Sequence, residues 1–124
     1  MKCNKVYEPK VKKLHTSFAD MKEGQKMAIG TPSLILELTR GIPRGKTWTL
    51  LELRQALAKK LKAHVACPVT TSMFLRIGIE NEISKDLKRY KYPFWRVVDL
   101  KSPLFKKLSP KAKKLIKNRL EAEL

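Results

Sequence analysis

The chain has 124 residues, of which 43% are hydrophobic and 31% are charged, so it can build one core and is not a disordered chain. Lys and Arg number 28 against 11 Asp and Glu, which gives a formal net charge of +17 and favours a polyanionic partner over a small neutral substrate. Cys3 and Cys67 form neither a disulfide framework nor a zinc-binding CxxC pair. No segment has the pattern of a signal peptide or a membrane span. We therefore expect a reduced cytoplasmic protein, associated with the nucleoid if it is bacterial, with no membrane partner.

Residues 1–30 are predicted to be a basic, weakly ordered N-terminal arm, and residues 31–124 to be the folded domain. The arm carries a crowd of lysines near its start, Lys2, Lys5, Lys10, Lys12 and Lys13. Its apolar residues are scattered, so it is predicted to be either a solvated tail or an arm that packs partly on the core.

Local capping signals predict four helices in the domain. Thr31-Pro32 and Ser109-Pro110 each combine a polar cap with a proline suited to the first helical position. Thr49 and Glu52 form a capping box at the start of another helix. Pro68 begins the remaining helix, which is the third in chain order and lies near residues 68–82. Its buried face is predicted to contain Val69, Met73 and Ile77, with Leu75 as a further candidate.

Residues 92–100 mix aromatic and β-branched side chains, which predicts a strand or an extended segment. A capped helix followed within a few residues by another helix is the helix-turn-helix plan. The extended segment after it would be the wing. The predicted fold is thus mainly α with a small β wing, a winged helix-turn-helix DNA-binding domain.

Catalytic chemistry has little support in the residues. His64 lies three positions from Cys67, an arrangement that invites comparison with a nucleophile and its base, but no third orienting group is evident. A small apolar cysteine at a helix start, with an incidental histidine nearby, is the better interpretation. We predict no catalytic residues, no metal site and no cofactor.

Binding has better support at the starts of two helices. Thr70, Thr71 and Ser72 are predicted to present hydroxyls and free backbone amides to phosphate oxygens, with Arg76 facing a groove. Residues 46–48, Lys-Thr-Trp, precede the capped helix and are predicted to touch the DNA backbone. For the hydroxyls the alternative is ordinary capping, and for Trp48 it is partial burial.

Four motifs, in the same order over residues 42–124, resemble the DNA-binding domain of alkylguanine-DNA alkyltransferases. Residues 42–47, Ile-Pro-Arg-Gly-Lys-Thr, are similar to the family's Ile-Pro-x-Gly-x-Thr opening. Residues 67–73, Cys-Pro-Val-Thr-Thr-Ser-Met, are similar to the recognition-helix start Arg-Ala-Val-Gly-x-Ala-Met. Residues 92–97, Tyr-Pro-Phe-Trp-Arg-Val, stand at the family's Ile-Pro-Cys-His-Arg-Val. The closing helix resembles the family's final Lys-Arg-x-Leu-Leu helix.

The departures from this family decide what the resemblance implies. The acceptor cysteine falls on Phe94 and its activating histidine on Trp95, while Pro93 and Arg96 match, so alkyl transfer at this site is not expected. The intercalating arginine falls on Cys67 and the strand-rotating tyrosine on Leu50, which puts base flipping in doubt. The chain is most similar to the alkyltransferase-like proteins, which lack the acceptor cysteine. We expect Phe94 and Trp95 to fill the former pocket.

The sequence thus predicts a non-enzymatic, monomeric protein that binds double-stranded DNA, with a role in damage sensing, repair or regulation. Arg96 is expected to support the former acceptor loop or to reach toward DNA. Three alternatives stay open: an RNA- or ribosome-associated basic protein, a DNA-modifying enzyme that uses Cys67, and a membrane-surface or protein-partner role for the Lys-rich last helix, which ranks last.

Overall fold

The computed structural model describes residues 8–85 and 88–124. It is mainly helical with a small three-stranded sheet, which confirms the predicted composition of the fold. The elements in chain order are β1 (Lys10–Lys13), β2 (Lys26–Ile29), α1 (Pro32–Thr39), α2 (Leu50–Lys60), β3 (Val65–Ala66), α3 (Pro68–Ser84), a 3-10 helix (Phe94–Val97), α4 (Pro103–Lys106) and α5 (Pro110–Glu123).

The helix starts predicted from capping signals are confirmed. The Thr31 hydroxyl accepts a hydrogen bond from the backbone N–H of Leu34 at 3.0 Å, and Ser109 caps α5 in the same way. At α2 both halves of the capping box are formed, because Thr49 Oγ1 accepts from the Glu52 N–H and the Glu52 carboxylate accepts from the Thr49 N–H. The short helix α4, capped by Ser102, was not predicted.

The sheet is built largely from residues that were expected to form a weakly ordered arm. β1 pairs antiparallel with β2, and β2 pairs parallel with β3, so β2 is the central strand. Ala28 of β2 and Ala66 of β3 lie side by side and are buried. Burial of these two alanines anchors the hairpin to the helical core. Residues 1–7, the first part of the predicted arm, lie outside the described residues.

Helix α3 lies at the centre of the helical layer, in contact with α1, α2 and α5. It packs tightly on α1 at Gly78, where a Cβ would lie 3.0 Å from Leu36 Cγ and 3.2 Å from the carbonyl oxygen of Pro32. A glycine inside a helix lowers its intrinsic stability, but here it allows the two helices to pack closely.

The strand predicted over residues 92–100 is wrong, because Phe94–Val97 form a 3-10 helix. The N–H of Arg96 donates to the Pro93 carbonyl at 3.0 Å, which closes a turn of this helix. An alternating strand would place Phe94 and Trp95 on opposite faces, whereas both are buried. The aromatic content of the segment therefore reflects burial in the core, and the small sheet forms elsewhere, from residues 10–29 and 65–66.

Among the helices of residues 8–85 and 88–124, none has the length and apolar composition needed to cross a membrane.

Candidate nucleic-acid interface

The surface of α3 carries an apolar stripe that the core leaves uncovered. Val69 is 59% exposed and Met73 is 37% exposed, with Ile77 partly buried on the same side of the helix. The prediction that Val69 and Met73 lie on the buried face is wrong, whereas Leu75, the further candidate, is fully buried and Ile77 packs partly against the core. The stripe led by Phe74, Gly78 and Leu75, together with Ile79 and Ile83, is buried instead.

The packing of α1 against α3 determines which of the two apolar stripes is buried. Both stripes recur at helical spacing, so periodicity alone does not separate them. Only the Gly78 side lets α1 approach closely, because Leu36 packs where a larger side chain would stand. Val69 and Met73 therefore face outward, while Ile77 packs partly against the core. Beside them lies the partly buried Arg76, which forms no ion pair within residues 8–85 and 88–124.

The hydroxyls predicted to bind phosphate at the start of α3 do not lie on the surface. Thr71 is fully buried, and its Oγ1 donates to the Cys67 carbonyl at 2.6 Å. Thr70 Oγ1 is also buried and has no hydrogen-bond partner among the described residues. The predicted presentation of these two hydroxyls to a phosphate is not seen in this structure, because the helix buries both of them. Ser72 is partly buried.

Arg96, also predicted to contact DNA, forms hydrogen bonds with other residues of the protein. Its guanidinium is bidentate to the Glu123 carboxylate, at 2.9 Å and 2.7 Å, and donates to the Ile42 carbonyl at 2.7 Å. These bonds use its Nε, Nη1 and Nη2 donors and join the 3-10 helix to α5 and to the turn after α1. This geometry fits the first of the two roles predicted for Arg96, support of the 93–97 segment.

The segment before α2 is exposed as predicted. Lys46 and Thr47 are exposed, and Trp48 is partly buried against the core, which was the alternative interpretation for its ring. The Trp48 N–H donates to the Arg96 carbonyl at 2.8 Å, so the segment lies beside the 3-10 helix. Thr47 and Trp48 line one wall of a largely apolar cleft of about 880 Å³, whose other walls are residues 97–102 and the last turns of α5.

The two rings at the position of the family's acceptor pair are packed in the core. Phe94 is fully buried and meets Tyr90 edge-to-face at 5.5 Å and Trp95 at 5.3 Å, between ring centroids. Trp95 is buried, and the Arg119 guanidinium lies 5.2 Å from the centre of its ring. Pro93 is partly buried at the start of this turn. Neither ring lines the cleft, in agreement with the expectation that they fill interior space.

Cys67 and His64 each form a hydrogen bond with β2, and no hydrogen bond joins them among the described residues. His64 Nδ1 accepts a hydrogen bond from the Lys26 N–H at 2.8 Å, so this nitrogen faces β2. Cys67 is buried, and its backbone N–H donates to the Ala28 carbonyl. Both residues thus serve to hold the sheet against the start of α3.

The protein's carboxylates are largely engaged by its own groups. Seven of them accept a hydrogen bond or pair with a cation within the described structure: Asp20, Glu37, Glu52, Glu80, Glu82, Asp99 and Glu123. The pKa of Glu123 lies below its usual value, because Arg96 hydrogen-bonds its carboxylate. Most lysines remain on the exposed surface.

Sequence reasoning missed two features of this surface, the outward apolar stripe of α3 and the ordered basic hairpin of β1 and β2. The short apolar run at residues 27–29, bounded by Gly30, was the available signal for a strand. Comparison with known proteins adds no relative, because no family model, no curated protein and no solved structure matches the chain.

Proposed function

We propose that the protein binds double-stranded DNA without modifying it. In this proposal α3 lies against a groove, with Val69 and Met73 in contact with the DNA and Arg76 close to a phosphate. Lys46 and Thr47, before α2, contact the backbone nearby. The fold proposed for this task is a winged helix-turn-helix, with α2 and α3 as the two helices and the small sheet as the wing.

The observation that carries the proposal is that most acidic side chains are paired within the protein, whereas most basic side chains lie on its surface. Carboxylates are tied up in helix caps and ion pairs, whereas the 28 Lys and Arg residues leave a net charge of +17 that is distributed mainly over the exposed surface. Such a field attracts phosphates and releases their counterions, which supplies much of the affinity of a DNA-binding protein.

The exposed Val69 and Met73 of α3, and the attachment of this helix to α2, support the placement of α3 against a groove. Residues 61–67 connect α2 to α3, and α2 is held to the end of this connection by a hydrogen bond from Arg54 Nε to the Ala66 carbonyl at 3.0 Å. Apolar side chains on a helix that enters a groove contact sugars and base edges, while flanking cations hold the phosphates. The uncovered Val69 and Met73 have this character.

We propose that the protein does not modify DNA because of Phe94. This residue stands where the resembling family has its acceptor cysteine, and a fully buried phenyl ring offers no nucleophile. The resemblance to alkyltransferase-like proteins makes an alkylguanine-containing duplex the informative ligand to compare with a plain one. Preference for the alkylated duplex would favour damage sensing, and equal binding would favour an architectural or regulatory role.

Fluorescence anisotropy with a labelled duplex tests the proposal. We expect Arg76→Glu to weaken DNA binding by about tenfold or more, because it removes a phosphate contact and adds repulsion. Lys114→Glu on the exposed side of α5 makes the same change in net charge and should weaken binding less. Competition with duplex RNA and with single strands tests the alternative of an RNA-associated protein. Preference for RNA, or equal loss in both variants, would contradict the proposed interface.

A further inference from the structure

The hairpin of β1 and β2 presents an unusually basic edge. All four residues of β1, Lys-Val-Lys-Lys, are exposed, and β1 is an outer strand of the sheet. Because neighbouring residues in a strand alternate between faces, Lys10 and Lys12 project from one face and Lys13 from the other. Lys13 stands directly opposite Lys26 of β2.

Within residues 8–85 and 88–124, these cations have no acidic partner. None of the β1 lysines takes part in an ion pair or side-chain hydrogen bond in the part of the chain that the structure describes. Two cationic side chains directly opposite each other, as at Lys13 and Lys26, weaken a strand pair. This arrangement adds nothing to the stability of the hairpin, so an anionic partner is the better explanation for the concentration of charge.

The hairpin is fixed beside the start of α3. The carbonyl of Ala28 in β2 accepts from the backbone N–H of Cys67, the residue before α3. The loop of the hairpin is tied to α2, since the Asp20 carboxylate binds the Arg54 guanidinium through two bonds, at 2.8 Å and 2.9 Å. Met21 in this loop is almost fully buried. β2 is thereby held beside the residue that precedes α3, and the basic strand β1 is joined to it as the outer strand of the same sheet.

We propose that Lys10, Lys12 and Lys13 form a second DNA-binding surface, which grips the phosphate backbone beside the segment that α3 contacts. This inference rests on the proposed function and extends it, because it assigns the role of the wing to the N-terminal hairpin. The partner is the DNA backbone and not its bases, since lysine ammonium groups act as point charges that position a duplex without reading its sequence.

A different role for the same lysines makes a distinct prediction. Lysines on an outer strand prevent two sheets from pairing edge to edge. If that is their only role, their removal will promote self-association and leave DNA binding unchanged. If they bind phosphate, their removal will weaken DNA binding in proportion to the number of phosphates that they neutralise.

The test compares two triple variants with the unaltered protein. Lys10→Gln, Lys12→Gln and Lys13→Gln are combined in one, and Lys106→Gln, Lys107→Gln and Lys114→Gln in the other, which removes the same charge from exposed positions of α4 and α5 and the turn between them. Duplex affinity is measured by anisotropy over a range of salt concentrations. Circular dichroism and the urea unfolding midpoint check that both variants are folded.

We expect the hairpin variant to lose about 2–3 from the slope of log affinity against log salt, with about a tenfold or greater loss of affinity at low salt. The slope of the control variant should change by less than about one. Equal slopes for the two variants, or self-association of the hairpin variant with an unchanged slope, would overturn the inference while leaving the proposed function standing. Failure of the unaltered protein to bind duplex DNA would overturn both.

Discussion

The guanidinium of Arg96 and the carboxylate of Glu123 form a bidentate pair that joins the 3-10 helix to the last turn of α5. The two bonds measure 2.9 Å and 2.7 Å, and the third donor of Arg96 reaches the Ile42 carbonyl. Both side chains are largely removed from solvent, so the pair is worth more than an exposed one. It closes the C-terminal helix over the segment that resembles the alkyltransferase acceptor motif.

This pair predicts an acid-dependent loss of stability. The pKa of Glu123 is lowered in the folded protein, mainly by the hydrogen bond from Arg96, from an ordinary value of 4.5. Its contribution is complete above that ordinary value and is lost as the pH falls through the lowered pKa. Glu123→Gln should reduce the free energy of unfolding by about 2 kcal/mol near pH 7, with a smaller reduction near pH 3, as measured by urea unfolding.

The Asp20–Arg54 pair, in which the carboxylate is exposed, provides the control for this measurement. The pKa of Asp20 is also lowered by its hydrogen bond to Arg54, so protonation of Asp20 also contributes to the loss of stability at low pH. Because Asp20 is open to solvent, Asp20→Asn should lower stability less than Glu123→Gln does. A loss in Glu123→Gln that is the same at both pH values would contradict the role given to the Arg96–Glu123 pair.

A left-handed residue at the end of α2 predicts a stabilising substitution. Lys62 has a φ of 56°, and the N–H groups of Lys62 and Ala63 donate to the carbonyls of Lys59 and Ala58 in the pattern of a Schellman motif. Glycine adopts this conformation without steric cost, so Lys62→Gly should raise the free energy of unfolding by about 1 kcal/mol.

The matched control is the same substitution inside the helix. Lys59→Gly should lower the free energy of unfolding by about 1 kcal/mol, because glycine is a poor helix former in a regular turn. Thermal and urea unfolding of the two variants should therefore shift in opposite directions. A loss of stability in Lys62→Gly as large as that in Lys59→Gly would show that residue 62 does not need a left-handed backbone.

The burial of Phe94 predicts a large structural penalty on its removal. The ring is fully buried between Tyr90 and Trp95, so Phe94→Ala leaves a cavity and should lower the free energy of unfolding by about 3–5 kcal/mol. Leu51→Ala, at a side chain that is 51% exposed, should change it by about 0.5 kcal/mol or less. Comparable effects of the two substitutions would mean that the phenyl ring faces a solvent-filled pocket instead of the core.

Thr71 provides a test of where α3 meets its partner. Thr71→Val removes a buried hydroxyl but preserves the side-chain shape, and the Cys67 carbonyl still accepts the backbone N–H of residue 71. We expect a loss of about 1 kcal/mol or less in stability and duplex affinity within about twofold of the unaltered protein. A specific loss of affinity in a normally folded Thr71→Val variant would place the hydroxyl at the DNA surface, against its buried position.

The helix boundaries could be predicted from the sequence because capping is local. Thr31, Thr49 and Ser109 each accept from a backbone N–H three residues ahead, so the signal and the structure lie within one turn. The orientation of α3 could not be predicted in this way. Two apolar stripes compete on this helix, and the contact of Gly78 with Leu36, which is distant in the chain, decides between them.

The candidate interface was predicted only in part, for a related reason. Lys46 and Thr47 are exposed as predicted, since they precede a capped helix and have no place in the core. The partner of Arg96 could not be predicted, because Glu123 is 27 residues away. The order of the N-terminal hairpin depends on another distant pair, Asp20 and Arg54, which no local pattern indicates.

The most direct test of the central claim is the salt dependence of duplex DNA binding by the unaltered protein. If the positive surface around α3 makes about 6–10 phosphate contacts, affinity should fall by about 10³–10⁵ between about 50 and 200 mM salt. Affinity that stays constant over this range, or the absence of duplex binding at the lowest salt, would contradict the account.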